Sequence, residues 1–213
     1  MAQGNEILLE YLISIIESHD FSPEHHCERI RLYTAVLLEK VMKYCPEYRL
    51  TRKQCKQISY AAMFHDIGKI SVPDRILQKP DRLSYDEFQI VKNHTRKGRQ
   101  IFEHVLKKIS KEDEDYSLYQ YCAEVCMYHH ERFDGEGYPS GLKKDETPIS
   151  AQVVGLADAY DVLISERIYK PAYDKEEAFE MILEGKCGIF HPRLIEIFSM
   201  VRMELEEIQE RFG

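Results

Sequence analysis

The chain has 213 residues, 44% of them hydrophobic and 31% charged, and its formal net charge is -8. That length suits one good-sized core, and no Pro/Gly/Ser-rich linker divides it. The acidic balance argues against a nucleic-acid polymer as partner, because such binding needs a basic face to displace counterions. In chain order, Ile7, Leu8, Tyr11, Leu12, Ile15 and Ile16 make one apolar stripe, which predicts an amphipathic helix over residues 5 to 18. Ser22 as N-cap and Pro23 at the first helical position predict a second helix running to Tyr44. Thr51 with Gln54 reads as a capping box opening a third helix that carries Ile58, Ala61, Ala62 and His65. Ser84 with Glu87 repeats that signal ahead of Phe88, Val91 and His94. The charged stretch at 107 to 115 reads as a solvated connection. Helical patterns resume at 117 to 130, 148 to 164 and 174 to 184. A last helix opens near Pro192, where Leu194, Phe198, Val201, Leu205 and Ile208 alternate steps of four and three, a spacing shared by core packing and a short coiled-coil seam.

The expected architecture is therefore an all-α helical bundle, with residues 1 to 20 as an N-terminal helix and 21 to 213 as the domain proper. No apolar run nears the roughly 20 residues that span a bilayer. The start, MAQGNEILLE, lacks the basic opening and apolar core of a signal peptide, so the expected setting is the cytoplasm, with no membrane attachment. Cys27, Cys45, Cys55, Cys122, Cys126 and Cys187 form no Cys-x-x-Cys pair and read as reduced thiols.

Chemistry concentrates in a few stretches. HHERFDGEGYP, at 129 to 139, sets adjacent histidines ahead of a glycine-rich turn. On a helix they point about 100° apart, so they are two ligands of one site, or one ligand and one structural residue. AAMFHDIGKI puts His65 and Asp66 at the end of an apolar helix, where an ionised carboxylate is costly unless paired or metal-bound. The plainer account has His65 complementing the helix dipole, with Gly68 as C-cap. Adding His26, His94 and Asp158 gives five histidines and two aspartates that facing helices of a bundle can bring together.

His26, HDIGK, His94, HHERFDGEGYP and ADAYDVLISERIYK together resemble the HD-GYP family, a branch of the HD-domain metal phosphohydrolases, over roughly residues 24 to 200. The resemblance implies an HD-type bundle with additional C-terminal helices, and two divalent metal ions, iron or manganese, with zinc, cobalt or nickel also suited to imidazole-rich sites. It implies one metal on His26, His65, Asp66 and Asp158 and a second on His94, His129 and His130, with Asp66 as bridge. A hydroxide between the metals is then the nucleophile, and Asp66 and Lys69 the catalytic side chains, Lys69 assisting at the phosphate; a solvated lysine is the plainer alternative.

In the GYP turn, Gly135 and Gly137 permit close backbone approach, and Gly137, Tyr138 and Pro139 are the expected substrate contacts, against a plain surface turn. Arg167 and Lys170, three apart, suit a phosphate clamp or, beside Asp158 and Asp161, an ion pair. The implied activity is hydrolysis of cyclic di-GMP to pGpG, with GMP as the family's further product; without a third-metal carboxylate, slow or absent conversion of pGpG to GMP is expected here. Alternatives are a phosphodiesterase for another cyclic dinucleotide, such as cyclic GMP-AMP, or a cyclic-dinucleotide-binding or protein-docking module with little turnover. A homodimer and an upstream regulatory domain or GGDEF-type partner are the associations expected, the first helix serving as a stalk. Four positions depart from the family pattern. Ser22 stands where relatives with a third metal have Glu, and Glu24 on a helix points elsewhere, so two metals are expected. His191, Phe133 and Ile168 replace a common Asp, Trp and Pro, with effects expected on packing or substrate fit.

Overall fold

The computed structural model describes residues 11–15, 17–18, 23–166 and 171–212, and among them every regular element is helical. Residues 11–15, 17 and 18 are helical as expected. Of the apolar stripe, Ile7, Leu8 and Ile16 lie outside the described residues; Tyr11, Leu12 and Ile15 are exposed while Ile13 is buried.

Helix α1, His26–Tyr44, buries Ile30, Tyr33, Leu37, Leu38 and Val41 along one face. Its start differs from expectation. Ser22 lies outside the described residues, and Pro23 is not the first helical residue, because His25 adopts a left-handed conformation, φ 60°. The backbone therefore turns before the helix, with His26 N–H donating to Pro23 C=O at 3.1 Å, and His26 becomes the first residue of α1.

Helix α2, Arg52–Ala62, opens on the Thr51–Gln54 capping box. It stops before His65, which sits in a turn leading to a 3-10 helix, Ile67–Ser71. After a short α3, Asp74–Leu77, the Ser84–Glu87 capping box opens α4, Tyr85–Lys92. His94 is not the end of that helix. A tight turn, Asn93 N–H to Ile90 C=O at 3.2 Å, closes α4, and His94 begins α5, His94–Leu106. Helix α6, Tyr116–Tyr128, ends with His129 as its C-cap.

Helix α7, Ile149–Ile164, is almost wholly buried and runs against α1 and α6. Helix α8, Lys175–Leu183, follows. The single last helix expected from Pro192 is two, α9 at Pro192–Met200 and α10 at Arg202–Phe212, broken at Val201, φ -109° and ψ 12°. The apolar stripe passes through the break undisturbed, with Leu194, Phe198, Val201 and Leu205 all buried. It packs on the core, where the Phe198 ring stacks on Phe179 at 4.6 Å and meets Tyr160 edge-on at 5.4 Å. Core packing thus accounts for the alternating spacing. Helix α1 lies at the centre, flanked by α2, α7, α9 and α10, and carries His26 at one end.

Candidate active site

Five segments deliver side chains to one buried cleft. His26 comes from the start of α1, His65 and Asp66 from the turn after α2, His94 from the start of α5, His129 and His130 from the end of α6, and Asp158 from the middle of α7. His26, His65, His94 and His129 are each no more than 1% exposed. Asp66 lies between them. Its Oδ2 is 3.2 Å from His65 Nε2 and 2.7 Å from Lys69 Nζ. Its Oδ1 is 3.1 Å from His94 Nε2 and 3.7 Å from His129 Nε2. Asp158 Oδ1 approaches His65 Nε2 at 3.6 Å and His26 Nε2 at 3.9 Å. Ligand-type atoms of Asp66, His94, His129 and His130 all lie within 4.8 Å of one another, as do those of His26, His65 and Asp66, and those of His65, His129 and Asp158.

The ring nitrogens are sorted by role. His65 Nδ1 lies 2.9 Å from Ala62 C=O, His94 Nδ1 2.7 Å from Val91 C=O and His129 Nδ1 2.9 Å from Val125 C=O. A carbonyl only accepts, so each Nδ1 carries a proton and each Nε2 is aimed into the cleft, where a neutral ring has a bare lone pair. His65, flanked by Asp66 and Asp158, is the ring that also holds a proton on Nε2 until a cation displaces it. Those Nε2 atoms, with His26 Nε2 and Asp66 Oδ1, are buried without a hydrogen-bond partner. Orphaned acceptors of this kind are costly in an ordinary core. Converging imidazoles with an outward second nitrogen held by an acceptor are what nitrogen-and-oxygen metal sites use, so the residues present fit divalent cations.

The same contacts set the electrostatics of the metal-free cleft. Burial opposes ionisation of Asp66, but Lys69 and His65 outweigh it and hold the carboxyl well below its usual range. Asp158 is lowered too, burial again being overcome by its bond to His65. Burial likewise opposes a proton on His65, yet Asp66 and Asp158 hold it up at about 10. His129, by contrast, is pushed down to about 3 by burial and by His65, and burial lowers His130 strongly. The cleft holds two ionised carboxylates and stabilises positive charge beside Asp66 and Asp158.

The GYP turn covers one side. Tyr138 stacks on His130, centroids 4.5 Å apart, and Lys92 Nζ lies 4.8 Å from the centroid of that ring. Arg96 donates to Pro139 C=O at 3.2 Å. A Cβ on Gly137 would fall 2.4 Å from Arg132 N, so only glycine lets the turn fold back on residues 130–132. Buried Glu131 pins the loop by accepting from Ser140 N–H at 2.7 Å and Leu142 N–H at 3.0 Å.

The structure thus brings together all seven metal-ligand candidates, with Lys69, Gly137, Tyr138 and Pro139 around them. Arg167 and Lys170 lie outside the described residues. His191 caps α9, its Nδ1 accepting from Arg193 N–H at 3.0 Å, and packs on Phe133 at 4.8 Å, away from the cleft. Three features escaped the sequence reading: the roles of Glu131, of Arg29 and of Asp161. Arg29 and Asp161 had a signal, each three residues beyond a candidate ligand on a helix and hence on its face.

An all-α bundle whose helix ends gather histidines and a His-Asp pair into one buried cleft defines the HD class of helical domain. Residues 10–192 match the family model described as HD domain. The chain is 37% identical to a probable cyclic di-GMP phosphodiesterase of Vibrio cholerae serotype O1, over 95% of this chain and 45% of the relative. It is 36% identical to a cyclic di-GMP phosphodiesterase of Thermotoga maritima, over 96% of this chain and 51% of the relative. Among solved structures, an HDG"Y"P protein from Bdellovibrio bacteriovorus superposes with a TM-score of 0.59 at 18% identity, covering 95% of this chain and 60% of that one. The chain belongs to the HD domain family, in its HD-GYP branch. It spans about half the length of the curated relatives it matches.

Proposed function

We propose that this chain is the catalytic domain of a metal-dependent phosphodiesterase that opens cyclic di-GMP to linear pGpG. The observation that carries this reading is Asp66, whose two oxygens face different imidazoles, Oδ2 toward His65 Nε2 and Oδ1 toward His94 and His129 Nε2. In this reading one ion takes His26, His65, Asp66 and Asp158, and a second takes His94, His129, His130 and the shared Asp66. Cations bound there supply the activated water and the charge neutralisation that phosphodiester cleavage requires. Lys69, its ammonium beside Asp66, meets a phosphate oxygen. Tyr138, its hydroxyl kept protonated by burial, donates to the substrate from a turn shaped by Gly137 and Pro139, and Arg167 and Lys170 clamp the second phosphate.

Iron or manganese are the proposed metals and two the proposed number. Glu24 is exposed and pairs with His25 at 3.6 Å, which supports the absence of a third carboxylate ligand and slow or absent conversion of pGpG to GMP. Six free cysteines support a reducing compartment, and the cytoplasm is the proposed setting. No helix among the described residues is long and apolar enough to cross a membrane. The exposed stripe of Tyr11, Leu12 and Ile15 supports residues 1–20 as a segment separate from a catalytic domain at 21–213, joining it to an upstream regulatory domain, a second copy or a GGDEF-type partner.

The test is protein purified anaerobically, its metals counted, and given cyclic di-GMP or cyclic GMP-AMP in parallel, with products separated by chromatography. Two metals per chain, pGpG from cyclic di-GMP and loss of both metal and turnover in Asp66→Ala are expected. An Asp66→Ala protein that keeps both metals and full activity refutes the shared site, and faster cleavage of cyclic GMP-AMP reassigns the substrate.

A further inference from the structure

His26 differs from the other buried histidines in what holds its second nitrogen. Its Nδ1 lies 2.7 Å from a carboxylate oxygen, Asp161 Oδ2, where the others meet backbone carbonyls. Asp161 is fully buried and held from its far side by Arg29, whose Nε donates to Oδ1 at 2.6 Å and whose Nη2 donates to Oδ2 at 3.0 Å. Arg29, itself 2% exposed, is fixed as firmly. Its Nη1 donates to Glu24 C=O at 2.7 Å and Phe212 C=O at 2.8 Å, and Nη2 also donates to Ser165 Oγ at 3.2 Å. A guanidinium has five N–H bonds, and all five are matched. Arg29 cannot rotate without stranding a buried donor, and Asp161 cannot rotate without losing Arg29.

We infer that Arg29 and Asp161 are positioning residues that set the tautomer and aim of His26 for cation binding. The inference rests on the reading of His26 as a ligand. With Asp161 present as an acceptor only, His26 donates from Nδ1, and its Nε2 lone pair is left facing Asp158 and His65. Neither Arg29 nor Asp161 touches the cation.

Asp161→Asn separates orientation from mere support, because the amide keeps the shape of the carboxylate but has one acceptor and one donor end. Either orientation of the amide sets its NH₂ against an Arg29 donor, Nε or Nη2; the oxygen kept on Nε, the shorter of the two bonds at 2.6 Å against 3.0 Å, turns the NH₂ to His26 Nδ1. The ring must then carry its proton on Nε2, where it blocks the cation. Manganese affinity, read by competition with a chromophoric chelator, is expected to fall about 10- to 100-fold for one of the two ions, with the helical circular-dichroism signal unchanged. In Arg29→Met/Asp161→Asn the amide is free to turn its oxygen toward His26, and affinity is expected to recover at least about tenfold over the single variant. A purely structural role predicts the opposite, since the double variant loses four more hydrogen bonds, those of Arg29 to the amide oxygen, Glu24, Phe212 and Ser165.

Nitrogen-detected NMR of the unaltered, metal-free chain should find His26 Nδ1 protonated, a measurement that stands if the variants do not fold. Natural affinity in folded Asp161→Asn, no recovery in the folded double variant, or an unprotonated Nδ1 each overturns the inference. His26→Ala tells the two levels apart. If it loses one ion while Asp161→Asn loses none, the positioning role alone falls; if it keeps both ions at natural affinity, the ligand reading falls and the positioning role with it.

Discussion

Gly68 leaves no room for a side chain: a Cβ there would lie 1.9 Å from His94 C=O and 2.6 Å from Gly98 N. The turn that carries His65 and Asp66 is thereby pressed onto the first turn of α5, which carries His94. Gly155 does the same on the other side, where a Cβ would meet His129 C=O at 2.2 Å, so α7 and Asp158 can approach the end of α6. Both glycines act as spacers between ligand-bearing segments. Gly68→Ala should cost about 1 to 3 kcal/mol in urea denaturation and lower manganese affinity together with stability, because the backbone that bears His94 must retreat. At the same scale, Arg167→Ala and Lys170→Ala should each raise KM about tenfold or more, since a charge-assisted bond to phosphate is worth about 1.5 to 3 kcal/mol, while leaving the metal content unchanged. Unaltered KM in both favours the ion-pair account of those residues. The candidate ligands in HDIGK and HHERFDGEGYP were legible in the sequence because their chemistry is carried by residue type at short spacing, whereas His26, His94 and Asp158 stood out through the family resemblance. The spacers were not, because a glycine's reason lies in a backbone that approaches from elsewhere in the chain.

Among the elements, the best-read boundaries were those with a polar cap. Thr51 and Ser84 each accept from the backbone N–H three residues on, and Gln54 and Glu87 return the bond. Thr51→Ala and Ser84→Ala should each cost about 1 kcal/mol in denaturation midpoint. The second should also weaken substrate binding more than metal binding, because α4 carries Phe88 and Lys92, which both lie against Tyr138. Boundaries set by tertiary contacts were misread. At Val201 the apolar period runs straight through the break between α9 and α10, so the pattern of side chains holds no trace of it. At Pro23 the usual helix-start signal was overridden by the left-handed His25, which brings His26 into the first turn and toward the cleft.

For the whole molecule, the cleft links stability to pH and to metal. In the metal-free protein His65 is held up at about 10, so its contribution is fully present below the unfolded value of 6.5 and is lost as pH rises toward 10. His129 is pushed down to about 3, so its contribution is present above 6.5 and is lost as pH falls toward 3. The urea midpoint of the chelated protein should therefore peak near pH 6.5; a midpoint that rises steadily from pH 6.5 toward 10 contradicts the role given to His65. Free manganese at about 100 times its dissociation constant should add about 2.7 kcal/mol, and Asp66→Ala should remove that gain.

The ring contacts also fix an order of assembly. His65, His94 and His129 are each tied to a carbonyl three or four residues away, whereas the contact from His26 to Asp161 spans 135 residues. Closing so long a loop costs chain entropy that a helical turn does not. Three rings are aimed as soon as their own segments form, and His26 arrives only when the two distant ends of the core have met. In the two-ion reading, a refolding chain is expected to orient the His94 and His129 rings before the His26 ring, and partial opening to release the ion on the His26 side first.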